Sequence, residues 1–292
     1  MYEMTALVKR HMLRFLRDKA AVFFSFLSVL ILISLYILFI GKQYTQGLEF
    51  LDKDLKTSLV VGVMMGGVLV INSMSLSLGM MGNIIEDLEH HALDAFLVTP
   101  AKRRHIILSY YLAANIVTSI LSIFMWILTV IYAGIQGYWY PIDVMLLVPL
   151  ILVLYTFVSS SLMIYITTLL KSVNAFGTLS GILGTLIGFA SGIYMPLVYL
   201  GKTTTFIASI NPFTHMAIWL KTILLKSPMD ALSQVINDPT VIAEIKTNYG
   251  MDEIGVLGID LPLSVIFVGI GLLSILFLYL AFKNMTKKMN KS

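Results

Sequence analysis

The stretch NIIEDLEHHALDAFLVTPAKRRHI, residues 83–106, interrupts a chain in which 58% of residues are hydrophobic and only 12% are charged. Wound as a helix, it puts Ile84, Ile85, Leu88, Ala92, Ala95 and Phe96 on one side and Glu86, Glu89 and Asp94 elsewhere. Pro100 ends that helix, because the residue before a proline is pushed out of helical geometry. Lys102, Arg103 and Arg104 then stand at the entry of the next apolar run, where basic side chains hold to an anionic inner membrane surface. The passage reads as a short amphipathic helix over 84–98, rigidly joined to apolar runs on both sides. Such a helix is a handle that something outside the membrane can grip.

The flanking runs establish the solvent. Mean hydropathy is +0.89, and uncharged apolar runs near 20–41, 58–82, 106–134, 143–170, 173–194 and 262–282 each reach the roughly 20 residues a bilayer crossing needs. The expected architecture is an all-α integral membrane protein with six transmembrane helices and no room for a large soluble domain. With both termini cytoplasmic, thirteen of the 20 basic residues fall inside, and residues 227–260 outside hold mostly acids. A cleaved signal peptide is the competing reading of the first run, but that run is long and lacks a small-residue cleavage site after it. The chain has no cysteine, so neither disulfides nor thiolate metal sites arise.

Residues 1–19 form their own unit, an amphipathic interfacial helix. Met4, Val8, Met12, Phe15 and Leu16 share one side, and Arg10, Arg14 and Arg17 cluster opposite. Residues 20–292 form the membrane domain. Within it, Gly177, Gly181, Gly184, Gly188 and Gly192 make a stripe without side chains on span five, and Gly62, Gly66 and Gly67 do the same on span two. Close helix approach is expected at both, within one subunit or between two. Between spans five and six, residues 195–261 hold two short apolar pieces near 196–209 and 213–225, parted by Asn211-Pro212 and followed by a polar cap. They read as re-entrant extracellular helices.

Several chemistries are excluded. No span carries an ionisable residue well inside it, as a proton-coupled carrier would need. Asn72, Asn115 and Asn174 cannot titrate and read as helix-to-helix hydrogen bonds. The five histidines are scattered, so no metal site is expected, and no nucleophile and base stand together. Gly201-Lys202-Thr203 ends like a phosphate loop but has Pro196 where that motif requires glycine. Energy for pumping must come from another polypeptide.

The ordered set Glu89-His90-His91-Ala92-Leu93-Asp94-Ala95-Phe96-Leu97-Val98-Thr99-Pro100, with Arg103 and Ile106 after it, resembles the cytoplasmic signature of the ABC type-2 permeases. It departs from that pattern at His91, where glycine is usual, and at Ala92, where threonine is usual. Ser191-Gly192, Pro196 and Asn211-Pro212-Phe213-Thr214 resemble the second recurring stretch of that family. The resemblance implies a type V exporter fold in a bacterial cytoplasmic membrane. Two permeases, identical or different, would meet around a path lined by spans two and five, each seated on an ABC ATPase subunit that binds ATP and magnesium.

On this reading, residues 84–98 are the coupling helix, with Glu86, Glu89, Leu93, Phe96, Leu97, Thr99, Pro100 and Arg103 as its contacts. The N-terminal helix is the connecting helix. Met65, Asn72, Met74, Ser180 and Phe189 are candidates for the substrate path, and Pro196, Asn211, Pro212 and Phe213 for an outer gate. The expected cargo is hydrophobic or amphipathic: a drug, a lipid or a peptide. Polysaccharide ranks below it, since Trp126, Trp139 and Trp219 read as interfacial anchors. A motor-independent channel or secondary carrier lacks its intramembrane charge, an enzyme lacks its catalytic set, and nucleic acid is not an expected partner.

Overall fold

The computed structural model describes residues 2–35, 38, 44, 48, 50–90, 92–93 and 102–289. In chain order its helices are α1 (Tyr2–Arg17), α2 (Lys19–Leu35), α3 (Lys53–Glu89), α4 (Arg103–Ile135), α5 (Ile142–Leu169), α6 (Val173–Ala190), α7 (Gly201–Ile210), α8 (Pro212–Val235), α9 (Pro239–Asn248) and α10 (Leu263–Met289). Among the described residues the only β-type pairing is an isolated bridge between Val256 and Ile259. The protein is all-α. Helices α3, α4, α5, α6 and α10 are each long and apolar enough to cross a membrane. The expected first span, 20–41, corresponds to α2 up to Leu35; residues 36–37 and 39–41 lie outside the described residues.

Helix α3 is the axis. In its most apolar stretch 89% of residues are buried, against 6% in α6 and 22% in α10. Lipid supplies no hydrophobic force between helices, so close approach depends on small residues and on hydrogen bonds made inside the bundle. Both are present along α3. A Cβ built at Gly62 would lie 2.6 Å from Leu225 Cδ2, one at Gly66 2.4 Å from Lys221 Cγ, and one at Gly67 2.5 Å from Ile193 Cγ2. These glycines let α8 and the segment after α6 press onto α3. On other faces, Ser73 meets Ser159 at 3.0 Å and Ser77 meets Ser160 at 3.1 Å on α5, and Asn72 donates to Ser122 of α4 at 3.2 Å.

The two glycine stripes therefore differ. That of α3 is filled from within the chain. Cβ atoms at Gly177, Gly181 and Gly184 of α6 would meet nothing within 4 Å.

Three expectations need correction. Residues 84–89 do not open a separate coupling helix; they are the end of α3, which runs unbroken for 37 residues to Glu89. Ile84, Ile85 and Asp87 remain buried, so the packing that holds α3 carries it past the expected break. The second short piece, expected over 213–225, continues to Val235 through Pro228, because Met229 and Leu232 extend its buried side. Trp126 is no interfacial anchor either. It is 2% exposed, packs on Tyr140 and donates to the Met145 carbonyl.

Replacing Gly66 by valine should overpack the α3–α8 contact and cost about 1–3 kcal/mol. Replacing Gly269 of α10, whose Cβ position is open, should leave the midpoint within a degree or two. Thermal unfolding of the detergent-solubilised chain reads both.

Candidate functional site

At the C-terminal end of α3, the Asp87 carboxylate is 1% exposed and accepts three sets of donors. Arg10 reaches it at 3.0 and 3.3 Å, Arg14 at 2.5 Å, and the Tyr110 hydroxyl of α4 at 2.5 Å. Arg14 also reaches Glu86. Arg10 and Arg14 are one helical turn apart on α1, so both guanidiniums meet one carboxylate. Arg10 and Arg14 of the expected polar side thus turn to the bundle beside Val8, Met12 and Phe15 of the expected apolar side, while Leu16 and Arg17 are exposed.

His11 lies between these arginines, fully buried and stacked on Tyr110 at 3.8 Å. Its Nδ1 sits 3.3 Å from an Arg10 N–H, so Nδ1 must be the acceptor and Nε2 must carry the proton. Nε2–H then donates to Ser109 Oγ at 3.2 Å, whose own proton goes to the Ile106 carbonyl. A second proton on the ring would point at Arg10. Burial, with the Arg10 charge beside it, holds the His11 imidazole down at about 3, so it is neutral. Burial also draws the Arg10 guanidinium down, but the hydrogen bond and charge of Asp87 outweigh it and leave Arg10 above its ordinary value. Asn83 closes the network by donating to the His11 carbonyl at 3.3 Å. Helices α1, α3 and α4 are clamped together here.

Two residues away, the Glu89 side chain accepts the Val173 backbone N–H at the start of α6. An orphan N–H at a helix N-terminus is satisfied by a carboxylate from the last turn of α3.

A cavity of about 980 Å³ extends from this clamp along α3, walled by α2 and α6. Arg14, Asp18 and Glu86 stand at its clamp end; Phe15, Phe24, Leu78, Phe176 and Phe189 are part of its apolar wall. Of the expected path residues, Met74, Ser180 and Phe189 line it. The buried Ser180 hydroxyl makes no hydrogen bond there. Met65 is buried in the core, and Asn72 is turned to α4, so neither lines the cavity.

The expected coupling residues are divided. Glu86 and Glu89 are held by Arg14 and by the α6 N-terminus, Leu93 is 4% exposed in the core, and Arg103 is exposed at the start of α4. Phe96, Leu97, Thr99 and Pro100 lie outside the described residues. Asn211, Pro212 and Phe213 make the corner between α7 and α8, where the Asn211 side chain caps α8 by accepting the Phe213 N–H at 3.1 Å. Pro196 is buried ahead of the 3₁₀ turn at Leu197–Tyr199.

The family model of the ABC-2 type transporter matches residues 2–225, from α1 through the middle of α8. The chain belongs to that family. It is the membrane-embedded permease component of an ABC transporter, the part that has no ATPase of its own. No curated protein matches it. Asp87, His11 and Tyr110 were missed in the sequence because an acid beside Glu86 and Glu89 reads as one more solvated charge. Its register was the available signal: Asp87 falls three and seven residues after Ile84 and Met80, on the buried side.

Asp87→Asn should cost the detergent-solubilised permease about 2–3 kcal/mol in unfolding. That is less than the loss of a fully buried pair, because the two guanidiniums are about a third exposed. Glu86→Gln, on an exposed partner, should cost under about 1 kcal/mol. The His11 shift has a definite sign. The folded ring binds fewer protons than the unfolded chain between about pH 3 and 6.5, so its stabilisation is whole above 6.5 and is lost as pH falls. Unfolding measured from pH 7.5 to 5 should weaken by up to about 1.4 kcal/mol per unit below 6.5. His11→Gln should flatten that slope.

Proposed function

We propose that this permease exports a hydrophobic or amphipathic molecule by alternating access, driven by a separate cytoplasmic ATPase that binds ATP and magnesium. The observation that carries the reading is the cavity of about 980 Å³ between α2, α3 and α6, apolar along its length and charged at its clamp end. A drug, lipid or peptide with an apolar body and a polar end suits such walls. The clamp end adjoins the segment that leaves α3 toward Phe96 and Leu97. A motor holding that segment acts on α3, on α1 and α4 through Asp87, and on α6 through Glu89.

Helix α6 is the element best suited to move, since it is barely covered by the rest of the chain. Its Gly177, Gly181 and Gly184 line the cavity, and its exposed Ile182 and Leu186 suit a second permease, the same chain or a related one. Six spans, cytoplasmic termini and a bacterial cytoplasmic membrane belong to this proposal, as do the roles of 195–261 as an outer gate and of 84–98 as the coupling region. The motor must favour one opening by more free energy than the permease's own preference for the other.

The test is reconstitution with the ATPase encoded beside the chain. The pair should copurify and hydrolyse ATP, and in liposomes it should move an apolar dye only with ATP. Phe96→Asp or Leu97→Asp should reduce ATP-dependent movement at least tenfold. Movement or current from the permease alone would replace this reading with a channel or carrier, and ATP-dependent movement of an oligosaccharide but not of the dye would assign the cargo to polysaccharide.

A further inference from the structure

The N-terminal half of α3 packs against a charge on α8 that neither the clamp nor the transport reading uses. Gly66 lies 21 residues before Asp87, about 30 Å along the helix. Against it runs the stem of Lys221 from α8, 2% exposed. The two glycines that border this side chain leave it its place: a Cβ at Gly66 would fall 2.4 Å from its Cγ, and one at Gly250, where φ is +65°, 3.1 Å from its Nζ. The ammonium donates to the Tyr249 carbonyl at 3.1 Å. The ion pairs formed among the described residues are those of Arg10 and Arg14, and Lys221 is in none of them.

A buried ammonium with one neutral acceptor is an expensive arrangement. Removing a charge from water costs several kcal/mol unless an opposite charge and further hydrogen bonds replace the hydration. Two of its three N–H donors have no partner among the described residues. Lys221 also lines a cavity of about 200 Å³ with Ser191, Thr205, Thr247, Gly250 and Asp252. At about 30 Å³ per water, that is space for some six or seven waters, or for one compact anionic group. Asp252 is exposed, so water and salt screen its repulsion far more than they screen the attraction of the buried ammonium.

We propose that this cavity, beside α8 and about 30 Å along α3 from the Asp87 clamp, is a binding site for an anionic group of the phosphate or carboxylate type, with Lys221 as its counter-ion. The group is either the headgroup of an anionic lipid in the adjacent leaflet or a free anion in the medium. Once bound, it joins α8 to the turn after α9 through the same ammonium. Tyr249 already binds that turn to the segment after α2, its hydroxyl donating to the Tyr44 carbonyl at 3.0 Å. Anion binding therefore stiffens this end of the bundle. The site stands independently of the cargo and direction proposed above, because its test requires no transport.

The unfolding midpoint of the whole chain in lipid nanodiscs reads it. One arm compares inorganic phosphate with chloride at equal ionic strength in phosphatidylcholine discs. The other compares phosphatidylglycerol with phosphatidylcholine discs without phosphate. A rise of several degrees in the first arm identifies a free anion, and a rise in the second alone identifies the lipid headgroup. Lys221→Gln should remove the rise in whichever arm shows it. Asp252→Asn, a change at an exposed residue that leaves the buried contacts in place, should tighten binding about two- to fivefold. No rise in either arm overturns the proposal, and so does a rise that Lys221→Gln leaves intact. Should Lys221→Gln fail to fold, an affinity unchanged in Asp252→Asn overturns it by itself.

Discussion

The burial of α3 by its neighbours is the constraint on which the other features depend. A helix surrounded by lipid gains little by exchanging lipid contacts for helix contacts, so what holds it at the centre must be closeness and internal hydrogen bonding. Gly62, Gly66 and Gly67 allow the closeness, and Ser73, Ser77 and Asn72 provide the bonds. A larger residue in that glycine row would push α8 away and disturb Lys221 with it. The central helix, the outer α8 and the buried ammonium are thus consequences of one packing surface.

Two sites along this axis handle charge in opposite ways. At Asp87 one carboxylate is met by two guanidiniums and a phenol, and neutral His11 fills the space between them, so the charge is fully compensated and three helices act as one. At Lys221 one ammonium has one carbonyl. The closed network suits transmission of force, because nothing in it is free to rearrange without leaving an ion unpaired. The open one suits a ligand. Between them α6 touches α3 lightly and is bonded to it at Glu89 by a single backbone N–H. An element so sparsely covered is the part of the bundle with the least to lose on shifting.

Much of this was readable in the chain. Composition and run lengths establish a helical membrane protein, since only a helix or closed barrel satisfies its backbone in lipid, and the ordered residues from Glu89 to Arg103 led to the family. The corner at Asn211-Pro212 was legible for the same local reason, a capping side chain followed by a residue that fits the first helical turn. Local chemistry could not show that residues 84–89 belong to α3, because the stabilisation of that last stretch comes from α1 and α4, distant in sequence. Nor could it place Met65 and Asn72, which lie on a span that is 89% buried in its most apolar stretch. With no polar face to orient α3, period alone does not say which residues meet the cavity.

By itself, then, the sequence determined the solvent, the helical class, the family and the residue types available at each depth, because these follow from transfer free energies and local backbone preferences. Only the tertiary structure decided which of two similar glycine rows is filled, which carboxylate of an acidic cluster is buried, and that Lys221 is enclosed with no ion pair among the described residues. Each of these depends on what lies across a contact from the residue. A lone chain pattern records the surface a helix offers, whereas its partner is set by the packing of segments many turns away.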